Sequence, residues 1–205
     1  GVVDQVMFLR FQPVVTILSV DHWNNHLLVW KQLDNSHMKK CKLEGHTDLI
    51  SSICILPDDG CVASASLDST VRIWDMKTCD TKFVLSGHTG DVYCMTQMQQ
   101  GKQGTCLLSG SSDRTIRWWD TRTGTCLRVL SGFQDWVHTV FVTPTGCGGV
   151  SYDGTMRLWN TNGQCEQVMN LEFVKISITK FMIVWNSEWI TMGMVGYGKL
   201  YWLNK

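Results

Sequence analysis

The sequence has no excess of charge of either sign, because 18 Lys and Arg residues balance 18 Asp and Glu residues. No basic block is longer than Lys39-Lys40, which argues against a nucleic-acid-binding surface. Long hydrophobic runs are also missing: the longest are of the FMIVW type, far short of the roughly 20 residues that a membrane helix needs. We therefore expect no nucleic-acid partner and no membrane span. The N-terminal stretch, broken by Asp4, Arg10 and Gln12, predicts no signal peptide.

The nine cysteines include no C-x-x-C pair, and they are scattered through apolar runs such as SSICIL and DVYCM. Free cysteine in such runs serves as a small buried hydrophobe, which predicts an intracellular, cytoplasmic protein and leaves a nuclear location open. Cys79, Cys126 and Cys165 follow tryptophans at similar distances, so we interpret them as one repeat position instead of metal ligands. We expect no metal and no cofactor.

Tryptophans recur with a regular spacing, each at the end of a short strand-like run. They are separated by 44, 45, 40 and 43 residues and stand at positions 30, 74, 119, 159 and 202. The intervening text alternates apolar and polar residues in short runs between turn signals, and it has no helical period of useful length. This pattern predicts an all-β protein built from one antiparallel unit repeated five times.

One stretch suggests an enzyme. Residues 109–120 read SGSSDRTIRWWD, and with His88 upstream they supply the serine, histidine and aspartate of a hydrolase triad. The same pattern recurs at 64–75, and a third copy at 149–160 has Phe133 in place of the histidine and Gly149 in place of the serine. A catalytic triad is needed once, whereas a structural device recurs with its repeat. We therefore predict a structural role and no enzymatic activity.

The Gly-His pairs, the turn aspartates and the Trp-Asp ends make the chain resemble the WD40-repeat family, whose units each form a four-stranded blade of a β-propeller. The strict motifs cover roughly residues 45–120, and the period extends the resemblance over nearly the whole chain. The resemblance implies a single propeller region over 1–205. Its repeats would lie at roughly 1–43, 44–85, 86–130, 131–170 and 171–205.

Five blades are fewer than the roughly seven of a usual ring, and the last unit lacks a fourth strand in the sequence. Strands are predicted at 6–11, 15–20 and 27–30 in the first unit, and at 172–181, 188–194 and 199–203 in the last. We expect an open arc or part of a larger ring whose edge another segment covers. The non-methionine start and the abrupt end at YWLNK fit a fragment.

In this family the Gly-His histidine, a strand serine, the turn aspartate and the tryptophan form a buried hydrogen-bonded network. The resemblance assigns two such networks, formed by His46, Ser64, Asp68 and Trp74 and by His88, Ser109, Asp113 and Trp119. A buried polar group without a partner costs about 1–3 kcal/mol, so the joint loss of two members in the third copy costs less than the loss of one. Asp153, which remains there, needs another partner.

A propeller exposes two rims of loops, and the family resemblance implies a protein-interaction scaffold that binds proteins or peptides and takes no small-molecule substrate. Residues three and five places after each histidine position, together with those beside the turn aspartate, are expected on one rim. These are Leu49, Ser51, Leu67, Asp91, Tyr93, Ser112, Arg114, Trp136, His138 and Tyr152.

The alternative function is an adaptor subunit of a cullin ubiquitin ligase. Residues 107–122 are similar to a box ending in W-D-x-R through which some WD40 proteins dock, with Arg122 as the contact and Lys77 as a weaker copy. Alternatively, Arg122 is an exposed charged residue beside a Thr-Gly turn, and the W-D-x-R pattern then implies no partner.

Two interpretations of Trp136 also stay open. Alternation places Ile50, Val92 and Val137 inward, so their neighbours face outward and Trp136 would be an exposed anchor for a partner. Alternatively, Trp136 folds down beside Phe133 to fill the site of the missing histidine.

Overall fold

The computed structural model describes residues 5–10, 15–21, 25–32, 38–56, 60–99, 104–171, 181–185 and 190–194. Within these ranges the protein is all-β, as predicted, and none of its described segments is a helix that could cross a membrane.

The strands form five antiparallel sheets in chain order. The first sheet contains β1 (Gln5–Arg10), β2 (Val15–Asp21), β3 (His26–Gln32) and β4 (Met38–Leu43). The second contains β5 (Ile50–Leu56), β6 (Cys61–Ser66), β7 (Val71–Asp75) and β8 (Thr81–Leu85). The third contains β9 (Val92–Gln99), β10 (Thr105–Ser111), β11 (Ile116–Asp120) and β12 (Cys126–Leu130).

The fourth sheet contains β13 (Val137–Thr143), β14 (Gly146–Ser151), β15 (Thr155–Asn160) and β16 (Cys165–Asn170). The fifth has two described strands, β17 (Phe181–Trp185) and β18 (Ile190–Met194). Across the described strands, the sheets do not close into a ring. The predicted strands at 172–181 and 199–203 fall almost wholly outside the described residues. Pairing between residues 1–6 and the strand at 199–203, which would close the ring, therefore also lies outside them.

Burial changes across each sheet and locates the core between neighbouring sheets. The second strands β6, β10 and β14 are buried along their whole length, whereas β12 is exposed at four of its five positions. One apolar cluster joins Val71 and Ile73 of the second sheet to Val92, Leu107 and Trp119 of the third. A second cluster joins the third sheet to the fourth. These clusters, with a third that joins the first sheet to the second, stabilise the first four sheets against one another.

The cysteines depart from the expectation of free thiols at one place: Cys41 of β4 and Cys79 of the β7–β8 turn form a disulfide. The structure also corrects the alignment of Cys79 with Cys126 and Cys165. Cys79 occupies the turn position of Gly124 and Gly163, with a positive φ in all three cases, whereas Cys126 and Cys165 begin the following strands. The bond removes cysteine usage as an argument for a reducing compartment, and the intracellular location stays a prediction.

Candidate functional site

The first of the two predicted networks has a complete chain of hydrogen bonds. The His46 Nδ1 atom lies 2.7 Å from Asp68 Oδ2, and its Nε2 atom lies 2.8 Å from Ser64 Oγ. The Trp74 indole N–H donates to the same Ser64 oxygen at 2.8 Å. One proton arrangement satisfies all four groups: the imidazole N–H on Nδ1 donates to the carboxylate, and the serine hydroxyl donates to Nε2.

The second network repeats this geometry in the third sheet. The corresponding distances are 2.7 Å from His88 to Asp113, 2.8 Å from His88 to Ser109 and 2.8 Å from Trp119 to Ser109. The recurrence follows from the recurrence of the sequence, because the same residue types stand at the same strand and turn positions.

These distances would also suit a catalytic triad, but the two serines are not accessible to a substrate. Ser64 and Ser109 have no exposed surface, and an indole N–H occupies each hydroxyl oxygen. A nucleophile must reach its substrate, so the geometry supports the structural interpretation of both serines. Nor does any group of three or more His, Cys, Asp or Glu side chains among the described residues suit a metal ion.

In the fourth sheet an aromatic contact stands where the network would be. The Phe133 and Trp159 ring centroids are 5.6 Å apart with an interplanar angle of 66°, close to the His88–Trp119 arrangement at 6.2 Å and 66°. A Cβ atom on Gly149 would lie 2.5 Å from Ile116 Cδ1, so a side chain at the serine site would displace the end of Ile116. Asp153 accepts hydrogen bonds from the backbone N–H of Gln134 at 2.7 Å and from Thr155.

The networks predict an acid dependence of stability. Burial alone would raise the pKa of Asp113, but hydrogen bonds from His88, Thr115 and the Thr89 N–H outweigh it and lower the pKa below its usual range. A lowered pKa stabilises the fold above the unfolded value of about 3.9, and this contribution is lost as pH falls through the acid range. Asp113→Asn does not titrate, so we expect the difference in urea midpoint between wild type and variant to shrink from pH 7 to pH 3. A constant difference would contradict this.

Sequence analysis missed two sets of residues in this region, although both recur at fixed positions in the repeat. A serine two places before each turn aspartate, at 66, 111 and 151, donates to a rim carbonyl and accepts the aspartate N–H. An arginine two places before each tryptophan, at 72, 117 and 157, lies over an aromatic ring. The Gly-His glycine lies against this arginine, since a Cβ atom on Gly87 would lie 2.6 Å from Arg117 Nη1, and the φ of 154° at Gly87 also favours glycine.

The predicted rim positions are paired across each sheet by a repeated backbone hydrogen bond. The carbonyl three places after the histidine position accepts the N–H of the residue before the turn aspartate. The pairs are Leu49 with Leu67 at 2.9 Å, Asp91 with Ser112 at 2.9 Å and Trp136 with Tyr152 at 3.0 Å. The inward neighbours Ile50, Val92 and Val137 are buried, so strand alternation orients this rim as the sequence indicates.

Four of the predicted rim residues form a continuous aromatic patch, composed of Tyr93, Trp136, His138 and Tyr152. The Tyr93 and Trp136 rings stack at 5.5 Å, although they belong to different sheets. Tyr152 contacts Trp136 at 6.2 Å and His138 at 5.0 Å, both edge to face. Trp136 is 47% exposed and Tyr152 is 41% exposed, so the alternative in which Trp136 folds down over the histidine site is wrong.

The other rim residues are divided between surface and structural contacts. Leu49 is 41% exposed, and Arg114 is exposed in a turn with φ of 69°. Asp91 accepts a hydrogen bond from the Tyr93 hydroxyl at 3.0 Å. The Ser51 hydroxyl donates to the Val92 carbonyl of the next sheet, so this residue also joins two sheets.

The W-D-x-R residues have a local explanation. The Asp120 carboxylate accepts the Arg122 N–H at 2.8 Å, just as Asp75 accepts the Lys77 N–H at 2.6 Å. The aspartate therefore closes a turn in both sheets. The Arg122 side chain is 62% exposed, with its Nε atom 3.6 Å from Asp120. This geometry requires no partner.

The repeated sheets and networks agree with a family comparison. The model of the WD domain, G-beta repeat, matches residues 38–75, 79–120 and 124–160, more than half of the chain. The chain belongs to the WD40-repeat family. The repeated hydrogen-bonded networks and the four-stranded sheets are thus those of WD40 repeats.

Curated relatives of this WD40 protein match over short segments. The chain is 37% identical to the probable coatomer subunit beta' of Caenorhabditis elegans over 71 residues, 34% of the chain and 7% of the relative. It is 37% identical to mitochondrial division protein 1 of Aspergillus clavatus over 54 residues, 26% of the chain and 8% of the relative. The human coatomer subunit beta' is 39% identical over 59 residues, 28% of the chain and 6% of the relative. The matches therefore span less than a tenth of these relatives, and none of these names is that of a ubiquitin-ligase subunit.

Proposed function

We propose that this WD40 protein is a non-enzymatic scaffold that binds partner proteins through the rim carrying the aromatic patch. The observation that carries the proposal is the stacking of Tyr93 on Trp136, which joins the third and fourth sheets into one exposed surface. Large aromatic side chains dominate the energy of protein interfaces because they bury much area and lose little rotamer freedom. The family and the names of its relatives support an interaction role and leave the partner unassigned.

The patch is held before any partner arrives. Tyr93 is fixed by its hydrogen bond to Asp91, and Tyr152 is fixed to Trp136 by the backbone bond and the edge-to-face ring contact. Rings already in place need little ordering on binding, so more of the contact energy appears as affinity.

Trp136→Ala is expected to weaken partner binding by about 2 kcal/mol, roughly thirtyfold, and to leave the fold intact. The fold should survive because about half of the side chain is exposed and the buried Val137 beside it is unchanged. The measurement is quantitative affinity capture followed by titration of each recovered partner against both proteins.

Leu127→Ala is the matched control, because Leu127 is equally exposed at 47% but lies on β12, away from the rim. Partners lost with Trp136→Ala and kept with Leu127→Ala support the proposal. If Trp136→Ala retains every partner at wild-type affinity while its circular dichroism is unchanged, this rim is not the binding surface.

A further inference from the structure

The aromatic patch is bordered by carboxylates on the same rim. Asp91 accepts the Tyr93 hydroxyl at 3.0 Å, and Asp135 accepts the Trp136 N–H at 2.8 Å. The second sheet has a similar aspartate, Asp48, which accepts the Leu49 N–H at 2.7 Å. Three neighbouring sheets therefore each place an aspartate beside a rim residue, which is Leu49, Tyr93 or Trp136.

Burial, and to a lesser extent the neighbouring carboxylates, raises the pKa of both phenols. Burial raises the pKa of Tyr93 to about 12, and the hydrogen bond to Asp91 and its charge add to the effect. Burial also raises the pKa of Tyr152, with the charge of Asp135 as a further cause. Both hydroxyls consequently stay neutral at physiological pH, and the net charge at the border of the aromatic patch comes from the two carboxylates.

Aromatic ring faces and carboxylates both attract cations. A cation over an aromatic face interacts with the ring quadrupole, and the interaction strengthens as water is excluded. An acidic partner would meet like charge at Asp91 and Asp135, and a purely apolar partner would desolvate both carboxylates without pairing them. Of the ten predicted rim residues, Arg114 alone carries a fixed positive charge. Arg114 follows Asp113 in the turn between β10 and β11, two residues after Ser112, whose N–H donates to the Asp91 carbonyl.

We infer that the aromatic patch binds a lysine or arginine side chain of a partner polypeptide, an inference that rests on the proposed interaction function. The long aliphatic stem of either side chain would cover the exposed part of Trp136, while its charged end would lie between ring faces and the carboxylates of Asp91 and Asp135.

A random decapeptide library displayed on phage tests the inference without a known partner. The library is selected on the wild-type protein after depletion on the Trp136→Ala variant, so that the retained peptides depend on the aromatic patch. We expect the retained peptides to be enriched in Lys and Arg. Replacing the shared basic residue of a synthetic retained peptide with Gln should weaken binding at least about tenfold.

Variants of the protein then separate charge from shape. Asp91→Asn with Asp135→Asn keeps side-chain size and hydrogen-bond acceptors but removes both charges, and it should weaken the basic peptide several-fold and reduce its salt dependence. Arg114→Ala removes the one fixed positive charge among the predicted rim residues, so it should strengthen binding of the basic peptide. Weaker binding of that peptide by Arg114→Ala would overturn the inference.

The outcomes distinguish this inference from the proposed function. The inference is overturned if the retained peptides are not enriched in basic residues, or if a basic peptide binds the double asparagine variant with wild-type affinity. Either result leaves an interaction surface at Trp136. If no peptide depends on Trp136 at all, the proposed binding surface fails together with the inference.

Discussion

Replacing Asp113 with alanine is expected to lower the free energy of unfolding by about 3 kcal/mol, because buried donors lose their acceptor. The substitution leaves the buried His88 imidazole, the Thr89 N–H and the Thr115 hydroxyl without their shared acceptor. The His88 and Asp113 side chains are only 1% and 7% exposed, so water does not readily replace the carboxylate. Urea unfolding followed by tryptophan fluorescence measures the change.

Asp153→Ala is the control that the chain itself provides. Asp153 occupies the same turn position in the fourth sheet, and it also bonds the following threonine and a backbone N–H. Phe133 stands where the histidine would be, so no buried imidazole loses a partner, and we expect a loss of only about 1 kcal/mol. Equal losses for the two variants would show that the histidine contact adds nothing to stability.

The fourth sheet indicates why the network is kept whole or removed as a unit. With Phe133 and Gly149 in place, the ring contact to Trp159 fills the space, and the glycine leaves room for Ile116. Changing the histidine alone would leave the serine hydroxyl proton without its acceptor and the aspartate without the imidazole N–H. A partly satisfied buried network is less stable than an apolar one of the same volume, which favours coupled loss.

The sequence predicted the sheets well because their signals are local. Turn residues, short apolar runs and the 40–45-residue spacing between tryptophans predict the strands and their order, although β6, β10 and β14 are buried along their whole length instead of alternating. The orientation of the rim followed from strand alternation, with Ile50, Val92 and Val137 inward. The conformation of Trp136 did not follow, because its stacking on Tyr93 depends on how two sheets pack.

The disulfide escaped sequence analysis for a related reason. The bond joins adjacent sheets, and its detection needs the correct alignment of the turns. Counted from the preceding tryptophan, Cys79 aligns with Cys126 and Cys165, but the turn hydrogen bonds align it with Gly124 and Gly163. The unequal spacing of five, seven and six residues was the available signal.

The equivalent turns show why a side chain at position 79 meets position 41. A Cβ atom added to Gly124 would lie 2.9 Å from the Phe83 ring, and one added to Gly163 would lie 2.8 Å from Arg128 Cδ. Phe83 and Arg128 stand two residues before the buried leucine that ends β8 and β12, as Cys41 does in β4. Each turn therefore packs against the same position of the preceding sheet, and here both positions are cysteine.

Cys41→Ser is expected to lower the free energy of unfolding by about 4 kcal/mol in oxidising buffer, because the bond closes a loop between residues 38 apart in sequence. The loss should disappear when both proteins are unfolded in dithiothreitol. Cys126→Ser controls for thiol loss, since Cys126 is free and exposed, and it should unfold like the wild type in both buffers.

Cys79→Gly separates the bond from the backbone beneath it. Cys79 has a φ of 69°, a conformation that glycine adopts without the cost imposed by a Cβ atom. In oxidising buffer the variant should be destabilised less than Cys41→Ser, and in dithiothreitol it should be more stable than the wild type by about 1 kcal/mol. Wild type and Cys41→Ser with the same urea midpoint in oxidising buffer would contradict a stabilising bond between the first and second sheets.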